Sequence, residues 1–126
     1  FSPELEVDSY ATIGLTAPAS LSPTGSEDPL MVEDELQAWS QFFKQNGATK
    51  LVINTRTGGS WFILNTASNG VAGKKKKVLI ASVTTTGNIT GILNVQIFPL
   101  GVGGDSMNIT FEFDGEGSTQ GVHLSK

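Results

Sequence analysis

His123 is the one histidine of the chain, so any imidazole chemistry would depend on it. Hydrolysis by a triad needs a nucleophile, a base and an orienting acid in hydrogen-bond reach. Gly121 and Ser125, the neighbours of His123, provide no such arrangement, and no serine lies in a G-x-S-x-G elbow. A single imidazole also falls short of the two or three that most catalytic zinc sites use. With no cysteine, thiolate metal sites, a cysteine nucleophile and disulfides are excluded. No catalytic residue is therefore assigned, and the chain is read as a non-enzyme.

Oxygen ligands are the next candidates. Asp105 in GGDSMN and Asp114 and Glu116 in DGEGS are placed where flexible loops could gather carboxylates around calcium. Neither segment fits the EF-hand spacing. Calcium is the one metal this pattern allows, and no other cofactor is expected. The acidic triplet Glu33, Asp34, Glu35 is consecutive, so on a helix its side chains fan out instead of converging, and they read as solvated first-turn charges. GVGGD lacks the lysine of a phosphate-binding loop and has no following helix. Asn88-Ile89-Thr90 and Asn108-Ile109-Thr110 match the N-glycosylation triplet, which matters only in a secretory pathway.

Binding chemistry rests on Tyr10, Trp61 and the four lysines Lys74, Lys75, Lys76 and Lys77. Tyr10 lies on the polar face of an alternating segment, and Trp61 follows a Gly-Gly turn; either ring would stack on a sugar or a partner surface. For Trp61 alternation into a core beside Ile63 is the stronger expectation. The lysines sit in GVAGKKKKVLIASVTTT. On a strand they alternate faces, so two at most point one way, too few to track a phosphate backbone. A formal net charge of −4 also argues against nucleic acid as a partner. The lysines are read as a solvated strand approach that guards a sheet edge. A contact with sialylated or sulfated glycans, or with Glu33–Glu35 of a neighbouring subunit, is the second reading.

The elements that must position these residues come from patterning. The chain of 126 residues, 38% hydrophobic and 16% charged with 15 glycines, has the make-up of one folded, turn-rich domain. Its apolar runs are far short of the roughly 20 residues needed to insert across a bilayer. The start FSPELEVDSY, without an initiator Met, reads as a piece of a longer protein or a processed form. Residues 1–15 read as a leading strand: residues 4–15 alternate, with Ala11, Ile13 and Leu15 on one face and Tyr10 and Thr12 on the other. Residues 16–27 read as a Pro/Ser/Thr linker, and residues 28–126 as the β-rich domain.

Within that domain one amphipathic helix is expected over about 29–45. Asp28 would cap it, Pro29 suits its first turn, and Val32, Leu36, Trp39 and Phe43 form a stripe. Strands follow at 50–55, 60–66, 75–85, 89–98 and 106–114, with a final short one in TQGVHL. Such spacing predicts a mainly β fold, an antiparallel β-sandwich or jelly-roll-like domain, with the helix closing one end or covering a face.

ELEVDSYATIGLTAP, residues 4–18, combines acidic and aromatic residues with a Leu15-x-x-Pro18 exit. It resembles the last strand of the jelly-roll shell domain in capsid proteins of small icosahedral RNA viruses such as tombusviruses and nodaviruses. In those proteins a short linker and a C-terminal protruding domain follow, an arrangement that residues 16–26 and the β-rich remainder fit. The resemblance implies a dimeric spike on the virion surface that serves particle assembly and attachment to a host receptor or glycan, without enzymatic activity. The alternative is an extracellular carbohydrate-binding or adhesin-type β-sandwich module of bacterial or phage origin.

Overall fold

The computed structural model describes residues 9–44 and 50–124. Its regular structure is mainly strand, all of it antiparallel, with helix present only as short 310 turns. The described strands form two two-stranded sheets and one three-stranded sheet. The chain divides into two compact units, Phe1–Thr84 and Thr85–Lys126.

In unit 1 the strands are short. β1 (Tyr10–Ala11) pairs with β4 (Ala81–Ser82), and the association continues irregularly as Thr12 and Gly14 donate to the carbonyls of Ile80 and Leu79 at 3.0 and 2.7 Å. β2 (Leu30–Glu33) pairs with β3 (Gly59–Phe62) in the register Leu30↔Phe62 to Glu33↔Gly59. Ribbons this small are marginal alone, and side chains complete their anchoring. Leu15, Trp39, Ala67 and Ala11 are the buried apolar residues, and Thr12 is fully buried. The alternation that put Thr12 on the polar face is corrected here. Its Oγ1 accepts from the Leu15 amide at 3.2 Å and its carbonyl accepts from the Trp61 indole at 2.9 Å, which satisfies the buried polar atoms. Residues 4–8 of the expected leading strand lie outside the described residues.

The expected helix over 29–45 is overturned across its described part, 29–44; residue 45 lies outside it. Leu30–Glu33 is extended because it pairs with β3. The chain then reverses: the Asp34 carboxylate accepts from the Leu36 amide at 2.9 Å, and the Gln37 amide donates to the Asp34 carbonyl at 2.9 Å. A 310 turn at Trp39–Phe43 follows. The proposed stripe is not one face, since Leu36 is 91% exposed while Trp39 is 4% exposed. Asp34 offered the backbone a local turn, and cross-strand pairing outweighed helix propensity. The strand expected at 50–55 is irregular, and that at 75–85 reduces to Ala81–Ser82.

One carboxamide joins three distant segments of unit 1. Asn69 Nδ2 donates to the carbonyls of Ile13 and Glu27 at 2.7 and 3.0 Å, and its Oδ1 accepts from the Glu27 amide at 2.9 Å. Gly14, at φ 71°, lies so close to the Asn69 carbonyl that a Cβ would collide with it, so the approach requires glycine.

Unit 2 holds the clearest sheet. β5 (Thr90–Ile97) pairs with β6 (Met107–Asp114) over eight consecutive residue pairs, from Thr90↔Asp114 to Ile97↔Met107. β7 (Val122–Leu124) joins the far side of β6. Leu93, Val95 and Ile97 face Phe111, Ile109 and Met107 across the pair, as the alternation requires.

Asn69→Ala is expected to destabilise unit 1 by about 2 to 3 kcal/mol, since two carbonyls and an amide lose their partner. Asn69→Asp should cost more above the carboxylate pKa, where an anion faces two carbonyl oxygens, whereas the Ala variant should show no such pH term. Both tryptophans lie in unit 1, so guanidinium unfolding followed by indole fluorescence reads this unit. Equal stability of Asn69→Ala and the parent would refute the clamp.

Candidate functional site

The site that the fold assembles is an aromatic cluster on unit 1. The Gly59–Phe62 strand places Trp61 beside Trp39, with ring centroids 5.7 Å apart. Trp39 also meets Phe43 edge-on at 5.7 Å, and Phe43 meets Phe42 at 5.3 Å. Edge-on and tilted pairs of this kind add to area burial. The Trp39 indole N–H donates to the Val32 carbonyl at 3.2 Å. Gly59 lies under that ring: a Cβ there would come within 2.5 Å of the indole nitrogen. Trp61 is half-buried, as alternation into a core anticipates, and its neighbour Phe62 is exposed.

Polar bonds fix the cluster. Glu33 receives the Ser40 amide at 2.8 Å and the Ser40 hydroxyl at 2.9 Å. These two bonds, the backbone one foremost, hold its carboxyl below the ordinary glutamate value, with Lys44 adding a smaller push in the same direction. Asp34 is lowered first by the Leu36 amide and then by the Thr55 hydroxyl. Gln37 exchanges bonds with Asn54, donating to its Oδ1 at 2.9 Å and accepting from its amide at 2.7 Å. The triplet read as solvated charge is thus partly structural: Glu33 ties the 310 turn to β2, and Asp34 closes the intervening bend. Ser40, seven residues from Glu33, carried no sequence signal for this tie.

Against this framework lies a shallow, open groove of about 200 Å³ lined by Gln37, Ala38, Trp39, Phe42, Lys50 and Val52. Its lining is mostly apolar, with one amide and one cation. Lys50 is exposed and makes no ion pair or hydrogen bond among the described residues. On β2 and β3, Leu30, Val32 and Phe62 are exposed and share one face.

The other sequence candidates are dispersed. Tyr10 is half-buried opposite Ser82. Lys74–Lys77 are all exposed, but Lys74–Lys76 belong to the turn at 73–76, and β4 begins only at Ala81. Turn bonds from Lys76 to the Gly73 carbonyl and from Lys77 to the Ala72 carbonyl shape it. The edge-guard reading is therefore corrected: the lysines project from a loop and flank no strand. Asp114 is the last residue of β6 and Asp105 lies two residues before its first, at opposite ends of a strand about 23 Å long, so they cannot share an ion. Among the described residues no group of three acidic or imidazole side chains is placed to hold a metal. His123 is exposed on β7, opposite Ile109. None of the known protein-family models, characterised proteins or solved structures compared with the chain matches it.

Because folding holds Glu33 as its anion, the tie contributes fully above the ordinary value of 4.5 and is lost as pH falls through the lowered folded value. Asp34 acts in the same direction over a lower window, below 3.8. The denaturation midpoint read by tryptophan fluorescence should fall as pH drops from 6 toward 3. Glu33→Gln should flatten the upper part of that fall, and an unchanged profile would show that Glu33 does not carry the tie.

Proposed function

We propose that this chain is a non-enzymatic surface domain of a small icosahedral virus particle, which associates with like domains and attaches the particle to a host glycan. The observation that carries the binding role is the groove: a half-buried Phe42 ring and the exposed Lys50 cation, which has no ion-pair partner among the described residues, line it together. An aromatic face stacks on a sugar ring, and a cation beside it meets a carboxylate or sulfate. The exposed apolar patch of Leu30, Val32 and Phe62 supports an assembly role, since such a patch rimmed by polar residues suits a protein partner. The likeness of residues 4–18 to a capsid shell strand supplies the particle in this reading. A β-sandwich or jelly roll also belongs to it: the apolar face of the β5–β6–β7 layer calls for a covering layer, which such an arrangement provides. Surface exposure on the virion follows from the attachment role.

A panel of immobilised glycans tests attachment. Sialylated or sulfated glycans should bind, and their neutral counterparts should not. Lys50→Ala should weaken that binding about ten-fold, the loss of one charge-assisted hydrogen bond, and Phe42→Ala should weaken binding of sialylated and sulfated glycans alike, since its ring stacks on the sugar whichever anion is present. Replacing Lys74–Lys77 together with glutamine should leave it unchanged; a loss there instead would move the site to the lysine turn. The particle assignment is tested by the parent polypeptide upstream of Phe1, where the remaining strands of a jelly-roll shell domain are expected and an unrelated domain would overturn it.

A further inference from the structure

We infer that β5 is a self-association edge, which pairs antiparallel with β5 of a second copy to make one six-stranded sheet across a two-fold axis. The inference deepens the assembly role proposed above and rests on it for its place on a particle; its physical ground is the strand itself. In the order β5–β6–β7, β5 and β7 are the edges. β7 has three residues and β5 has eight. Half of the β5 backbone N–H and C=O groups face β6, and the others face outward, where none has a backbone partner among the described residues. An edge of this length is a template for another strand unless it is blunted by charge, proline, a bulge or brevity. TGILNVQI contains no charged residue and no proline, and its pairing with β6 runs through eight residues without a bulge.

The same composition selects a second copy as the occupant. In a two-fold contact a strand meets its own sequence in reverse, so any charge near the axis meets its like. An edge without charge meets no like-charge penalty in any two-fold register, and β5 is uncharged along its whole length.

Register follows from parity. Residues opposite one another in an antiparallel pair share a face, so the apolar residues Leu93, Val95 and Ile97 must meet odd-numbered partners. A two-fold axis at Asn94 achieves this while using nearly the full strand. Leu93 then lies opposite the partner's Val95, Gly91 opposite the partner's Ile97, and Ile92 opposite the partner's Gln96. Asn94 meets itself; its Oδ1 already accepts from the Thr110 hydroxyl at 2.7 Å, which leaves its N–H groups to reach across. Ile92, 69% exposed, gains a neighbour on the outer face.

Sedimentation velocity of the full chain over a range of concentrations tests the inference, with two variants. The parent should show a concentration-dependent dimer. Ile92→Lys combined with Gln96→Lys sets like charges opposite one another twice and should raise the dimer dissociation constant by about ten-fold or more. Ile92→Lys combined with Gln96→Glu sets opposite charges there and should preserve or tighten the dimer. This second variant controls for folding, because it carries the same disruption of the strand's outer face. Hydrogen exchange adds a direct readout: outward amides within 90–97 should be protected at high concentration and exchange freely at low concentration. A parent that stays monomeric, a dimer unaffected by the paired lysines, or concentration-independent exchange in β5 would each overturn the inference. Those results leave the glycan and upstream-sequence measurements standing, and failure of the latter leaves the sedimentation result standing.

Discussion

Ile13, Glu27 and Asn69 are far apart in sequence, and the Asn69 carboxamide holds them together through two donated bonds and one accepted bond. The rest of unit 1 depends on this, because its ribbons are two and four residues long and cannot fix one another's positions through ladder bonds alone. Where backbone pairing is sparse, buried backbone groups still need partners. Unit 1 supplies them from side chains: Asn69 to Ile13 and Glu27, Trp61 to Thr12, Trp39 to Val32, and Glu33 to Ser40. Each of these side chains joins two stretches of chain, so the aromatic groove inherits its geometry from polar clamps as much as from apolar burial.

That construction explains what could be read from the sequence. β5 and β6 were legible almost to the residue, since clean alternation in ITGILNVQIF and SMNITFEFD meets no competing signal, whereas only the second half of TQGVHL forms β7. Trp61 is half-buried against Trp39. The Asp28–Phe43 segment misled because it satisfies two templates at once. Its apolar spacing and early acids suit a helix, while Leu30-Met31-Val32 suits a strand. The deciding partner, Gly59–Phe62, lies about thirty residues downstream and makes room for the Trp39 ring only because residue 59 has no side chain. No local window contains that information.

The clamps were illegible for a related reason. Asn69 in ASNGVAG looks like ordinary turn chemistry, and nothing near it marks Ile13 or Glu27 as its partners. Glu33 and Asp34 looked like solvated helix-start charge, yet their lowered carboxyls report bonds to Ser40 and Leu36. The groove joins Gln37 and Phe42 to Lys50 and Val52, and its amide is set by Asn54, seventeen residues from Gln37. Sequence could nominate aromatic and cationic residues, but only pairing between distant segments decides which of them share a surface.

The property that made β5 easy to read also leaves it open. Strict alternation of apolar and uncharged polar residues is the strongest local strand signal, because each neighbour agrees with the pleat. A natural edge usually spoils that signal with a lysine, a proline or a bulge, accepting weaker pairing to prevent association. β5 keeps the signal intact at an edge, while the acids of the hairpin, Glu112 and Asp114, sit on β6. The four consecutive lysines, the obvious edge-blunting residues in this sequence, are spent on a turn in the other unit. Charge is thus partitioned away from the one long edge of the described sheets. That distribution leaves β5 without the devices that ordinarily oppose edge pairing.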